Sequence, residues 1–150
     1  HIPCIINDDA EAAALLQADG VHVGQSDCSI QQARAILGKS ACIGVSAHNL
    51  EEARMAQQGG ADYIGCGAVF GSATKQDATP LSRETLRTIC QGVSIPVVAI
   101  GGITAQNVQQ LAGSGIQGIA VVSAIFGQPD KTEAARQMHQ LANQICGGAQ

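Results

Sequence analysis

Acidic residues gather behind two short apolar runs of this chain: Asn7, Asp8 and Asp9 follow the run ending at Ile6, and Gln25 and Asp27 follow Gly20–Val23. If both runs are neighbouring strands of one parallel sheet, Asp8 and Asp27 end side by side at the same rim. Two carboxylates that close repel unless they share a proton or a cation. Hard oxygen donors beside an amide, Asn7, suit Mg²⁺, which takes one or two carboxylates and completes its shell with water and substrate phosphates. Asp9 directly precedes a helical pattern and reads as its cap. For Asp27, capping is the competing reading.

The other polar residues that follow apolar runs point to phosphate chemistry. Ser46 and His48 come after Cys42–Val45. The longest connection, "GAVFGSATKQDATP", carries Ser72, Thr74 and Lys75, and a flexible ammonium in a binding loop suits a diphosphate as a point charge. Gly101-Gly102 and Val122-Ser123 end the last two runs, where barrels frequently bind phosphate through backbone N–H groups. A tight turn is the plain alternative for the glycine pair. His22, set between Val21 and Val23, reads as a satisfied interior histidine; His48 either shapes the site or begins the next helix.

These residues need elements to hold them. Runs at Ile2–Ile6, Gly20–Val23, Cys42–Val45, Tyr63–Gly67, Pro96–Ile100 and Gly118–Val122 are short and β-branched, several apolar on both faces, as parallel strands covered by helices should be. Helical patterns alternate with them at Asp9–Gln17, Ser29–Leu37, Leu50–Gln58, Ser82–Gln91, Thr104–Ala112 and Lys131–Ile145. Ser29, Asn49, Ser82 and Thr104 stand at N-cap positions; Gly38, Gly59, Gly92 and Gly113 follow as stops. An internal echo, "QADGVHV", "GGADYIGC" and "GSGIQGIAV", marks the entry of alternate strands.

The pattern predicts six βα units in one domain spanning residues 1–150. A (β/α)₈ TIM barrel needs eight units and about 200 to 250 residues, so the expectation is a barrel lacking its first two units. A doubly wound open sheet is the alternative fold. Six units leave two sheet edges open, which invites pairing with another chain, including a homo-oligomer.

Composition narrows the function classes. Apolar residues make up 45% and charged ones 13%, with a net charge of −4, which argues against a nucleic-acid or anionic-membrane surface. No run is long enough to span a bilayer. The six cysteines form no C-x-x-C pair, and those in apolar runs act as small hydrophobes, so reduced thiols and a cytoplasmic setting are expected.

In order and spacing, "IINDD", "ADGVHVGQSD", "IGVSAHN", "ADYIGCGAVF…TK", "IPVVAIGGIT" and "GIAVVSAIF" resemble the thiamine-phosphate synthase family over nearly the whole chain. The resemblance implies a (β/α)₈ barrel that joins hydroxymethylpyrimidine diphosphate to a thiazole phosphate and releases diphosphate. It implies that Asn7 contacts the pyrimidine, that Asp8 and Asp27 hold Mg²⁺, and that Ser46 and Lys75 bind the diphosphate and carry catalysis. Ser72, Thr74, Gly102, Val122 and Ser123 correspond to the thiazole-phosphate site. The loop reads "FGSATK" where the family commonly has proline-threonine, and the family's glutamine-arginine-lysine stretch, which belongs to the first two units, is absent. The thiazole tautomerase of the same family and a non-catalytic phosphate-binding fragment are the competing functions; the Asp8, Asp27 and Lys75 set favours the synthase.

Overall fold

The fold was analysed in a computed structural model, which describes residues 2–71 and 80–146. Six parallel strands form one sheet in the order of the sequence: β1 (Ile5–Asn7), β2 (Gly20–Val23), β3 (Cys42–Ala47), β4 (Tyr63–Cys66), β5 (Val97–Ile100) and β6 (Gly118–Ala120). Helices α1 (Ala10–Leu15), α2 (Ile30–Leu37), α3 (Leu50–Gly59) and α4 (Arg83–Gly92) return the chain between successive strands. After β6 come α5 (Ser123–Phe126) and the long α6 (Lys131–Cys146). Strictly sequential parallel order is the winding of a (β/α) barrel wall; a doubly wound sheet would reverse direction at a switch point.

The core lies between the sheet and the helices. Val21, Val23, Ile43, Val45, Ile64, Cys66, Val97 and Ala99 alternate onto this face and are buried against Ala13, Ala33, Ala53, Leu86 and Ile89. The opposite face carries Asn7, His22, Ser46, Tyr63, Val98 and Ile100, none of them fully buried. Cys66 is buried and its thiol is pushed up to about 12 by desolvation, as the small-hydrophobe reading requires. All six cysteines are free, but Cys4 lies before β1 and is exposed, outside the strand assigned to it.

The internal echo has a physical basis at the foot of the barrel. Asp19, Asp62 and Gln117 each precede an even-numbered strand and accept the N–H at the foot of the strand before it. Asp19 takes Cys4 N, Asp62 takes Ile43 N and Gln117 takes Val97 N, all at 2.7 Å. A backbone donor that enters a parallel sheet out of phase thus finds a side-chain acceptor.

Local chemistry explains where the elements depart from expectation. Asp9, Ser29, Asn49 and Ser82 cap α1 to α4, and Ser29 with Gln32 completes a capping box. Strand β1 starts at Ile5 because Pro3 has no N–H and Cys4 gives its own to Asp19. The helix expected at Thr104–Ala112 shrinks to a 3₁₀ turn over Val108–Leu111. There Asn107 folds back, accepting from Thr104 N and donating to Gly102 O, a side-chain competitor to the first helical turn. Strand β6 stops at Ala120, and Val122 instead opens α5, accepting from Phe126 N at 2.8 Å.

Candidate active site at the strand ends

Register places the candidate residues on the free face and rim. Asn7 pairs with His22, His22 with Gly44, and Gly44 with Tyr63, so these four form one layer across β1 to β4. Ser46, one pleat nearer the rim, is aligned with Gly65 and, through it, with Val98. The two glycines make room for rings. A Cβ on Gly44 would lie 2.1 Å from Tyr63 Cζ, and one on Gly65 would lie 2.8 Å from His22 Cε1.

In that space His22 bridges two hydroxyls: Nδ1 lies 3.0 Å from Tyr63 Oη and Nε2 lies 3.0 Å from Ser46 Oγ. Burial holds the imidazole below its usual range, against the opposing pull of Asp8 and Asp27. Burial, with a further contribution from Cys42, pushes the Tyr63 phenol up to about 12. The imidazole is therefore satisfied inside the barrel, as its place between two valines implied. The bridge itself depends on Tyr63 arriving from a strand more than forty residues away, and only the parity of His22, Ser46 and Tyr63 on their strands hinted at it.

The two aspartates flank the end of β2. Asp8 has φ +67°, unusual for a residue with a side chain, and is pinned there by its N–H donating to His22 O at 2.7 Å. Strained backbone of this kind gathers at functional sites. Asp8 also lines a shallow acidic recess with Asp9, Glu11 and Cys28. Asp27 Oδ2 accepts from Gly24 N at 2.7 Å, closing the turn after β2, while Gln25 Nε2 donates to Ser46 O at 2.6 Å and ties that turn to β3. Asp27 does not cap α2, whose cap is Ser29; it closes the turn before it, and its charge acts on His22. Asp9 is the cap of α1, accepting from Ala12 N at 2.8 Å.

Among the described residues, no three His, Cys, Asp or Glu side chains gather as a metal cage. Two exposed carboxylates on one rim are the donor number of a hard divalent cation that completes its shell with water and phosphate, so the residues present fit Mg²⁺. His48 belongs to the start of α3, where its Nδ1 lies 2.9 Å from Glu52. Gly101 and Gly102 both have positive φ, and a Cβ on Gly102 would lie 2.7 Å from Gly71 O, so the turn after β5 packs directly on the one after β4. Val122 and Ser123 are exposed at the start of α5. Ser72, Thr74 and Lys75 lie outside the described residues. Among the described residues, no helix is long and apolar enough to cross a membrane.

Comparison with known proteins agrees with the barrel winding. The family described as thiamine monophosphate synthase matches residues 1–125. A thiamine-phosphate synthase of Ruminiclostridium cellulolyticum is 51% identical over 94% of this chain and 67% of its own length. One from Chloroflexus aurantiacus is 48% identical over 95% and 66%. The solved thiamine phosphate pyrophosphorylase from Pyrococcus furiosus superposes with a TM-score of 0.85 at 38% identity, over 94% of this chain and 67% of that one. The chain therefore spans about two thirds of the length of these relatives. With the barrel winding, the rim residues and these matches together, the chain belongs to the thiamine monophosphate synthase family.

Proposed function

We propose that this chain carries the site of a thiamine-phosphate synthase, a transferase moving the hydroxymethylpyrimidine group from its diphosphate to thiazole phosphate. The observation that carries the reading is the family match over residues 1–125 together with Asn7, Asp8, Asp27 and Ser46 at one rim. In this reading Asn7 contacts the pyrimidine, Asp8 and Asp27 hold Mg²⁺, and Ser46 with Lys75 binds the diphosphate. Ser72, Thr74, Gly102, Val122 and Ser123 receive the thiazole phosphate. Free thiols and small-molecule substrates suit a cytoplasmic enzyme.

When bound, Mg²⁺ would supply charge neutralisation on the departing diphosphate. The chain's own residues position and shield. Ser46, anchored through its carbonyl to Gln25 and through its hydroxyl to His22, presents a fixed hydroxyl. The carbon–oxygen bond to diphosphate breaks and the thiazole nitrogen forms the new bond, a displacement that asks for preorganised electrostatics more than for a general base.

The test is thiamine phosphate formation from the two substrates, with Mg²⁺ and with excess chelator, in this chain and in one extended to the length of the relatives. Metal-dependent product from either form supports the synthase. Isomerisation of the thiazole without metal would move the reading to a tautomerase. No product from either form overturns it.

A further inference from the structure

We propose that His22 is a positioning residue for Ser46: held as the Nε2–H tautomer by Tyr63, it donates to Ser46 Oγ and turns the Ser46 proton out to an anionic ligand at the rim. The proposal rests on the synthase reading for the identity of that ligand, a diphosphate.

The geometry leaves two ways to run the bridge. In one, Tyr63 donates to Nδ1, Nε2–H donates to Ser46 Oγ, and the serine proton is free. In the other, Nδ1–H donates to Tyr63 Oη, the serine proton is spent on Nε2, and Ser46 shows the rim only lone pairs, which repel phosphate. A phenol is a far stronger acid than an aliphatic alcohol and is the better donor to an imidazole nitrogen. Tyr63 sits 3.0 Å from Nδ1 and is held protonated by burial, so the first arrangement is favoured. The Nε2–H to Ser46 half of it also survives protonation of the ring, in which Tyr63 Oη turns to accept from Nδ1–H.

The surrounding residues are shaped for this bridge. Gly44 and Gly65 have no Cβ where the rings of Tyr63 and His22 lie, and Gln25 holds the Ser46 carbonyl, so the hydroxyl has a fixed pivot. No part of His22 needs to touch the ligand. Its role is to settle the direction of one proton before a charged oxygen arrives, which saves the reorganisation a free hydroxyl would need.

Two measurements test this in the intact chain. Long-range ¹H–¹⁵N correlation spectra, with the His22 signals assigned by their loss in His22→Phe, should show Nε2 protonated and Nδ1 bare. An Nδ1–H signature, or an equal mixture, overturns the proposal. Tyr63→Phe, which removes the hydroxyl and keeps the ring, should turn that signal into a mixture of tautomers; an unchanged signal also overturns it.

The second is calorimetric binding of inorganic diphosphate with Mg²⁺. Ser46→Ala and His22→Phe should each weaken binding by roughly tenfold, the scale of one charge-assisted hydrogen bond, and the double variant should be no weaker than either. If Ser46→Ala weakens binding but His22→Phe does not, or the two losses add in full, the proposal fails while the synthase site stands. If Ser46→Ala changes nothing, Ser46 is not a diphosphate ligand and the site reading itself fails.

Discussion

Asp27 closes a turn and, in the proposed function, holds Mg²⁺, and a pair of substitutions separates the two. Its Oδ2 accepts from Gly24 N at 2.7 Å. Asp27→Asn keeps an oxygen for Gly24 and removes the charge, so Mg²⁺ affinity should fall at least about tenfold with little change in melting temperature. Asp27→Ala should show the same metal loss plus about 1 kcal/mol of stability for the vacated N–H. Unchanged Mg²⁺ binding in both variants would return Asp27 to a purely structural role. Tyr63 gives a second residue-scale prediction, because it is the only tyrosine and the chain has no tryptophan. Its phenol, pushed from an ordinary 10 up to about 12, should ionise near pH 12 in ultraviolet titration. With the folded value raised, its contribution to stability is complete below about pH 10 and lost as pH rises towards 12. A midpoint near 10 with the fold intact would place the ring in water.

The barrel elements are stapled at the foot by single side chains. Arg34, on α2, donates to Lys39 O at 3.3 Å, Ala41 O at 2.5 Å and Gly60 O at 3.2 Å, and pairs with Asp62 at 2.9 Å. Asp62 in turn holds Ile43 N at the foot of β3. One guanidinium therefore ties the end of α2 to the entries of β3 and β4. Arg34→Ala should cost about 2 to 3 kcal/mol in chemical denaturation, more than a surface charge change, because three carbonyls lose their donor. A cost within about 0.5 kcal/mol, the range for an ordinary surface substitution, would show that water replaces it freely. Strands and capped helices were legible in the sequence because β-branched runs and Ser, Asn or Asp caps act over a few residues. The helical pattern at Thr104–Ala112 yields only a 3₁₀ turn because Asn107 competes with the helix from inside it, and the four residues of α5 carry no periodicity.

As a whole, the sheet pairs β1 only with β2 and β6 only with β5 among the described residues, leaving an unpaired edge on each. The helices next in sequence to these edge strands carry exposed apolar groups, Leu15 on α1 at 86% and Phe126 on α5 at 71% of full exposure. Open strand edges next to apolar surface template further pairing. The 150-residue chain should therefore run as dimers or larger species in size-exclusion chromatography with light scattering. A form extended to the length of the relatives should shift towards smaller species. A monodisperse monomer of the short chain would show that its edges are already protected.

The order of units and the residues that end each strand are legible from local pattern. Alternation and capping are short-range, so strand parity, helix starts and the polar residues after each strand follow from neighbours in the chain. The tertiary structure alone decided which of those residues meet. The His22 bridge joins β2, β3 and β4 and needs the empty positions at Gly44 and Gly65. The foot staples join strands through Asp19, Asp62 and Gln117. Such contacts are set by register between distant segments, and register is fixed only when the sheet is packed against its helices.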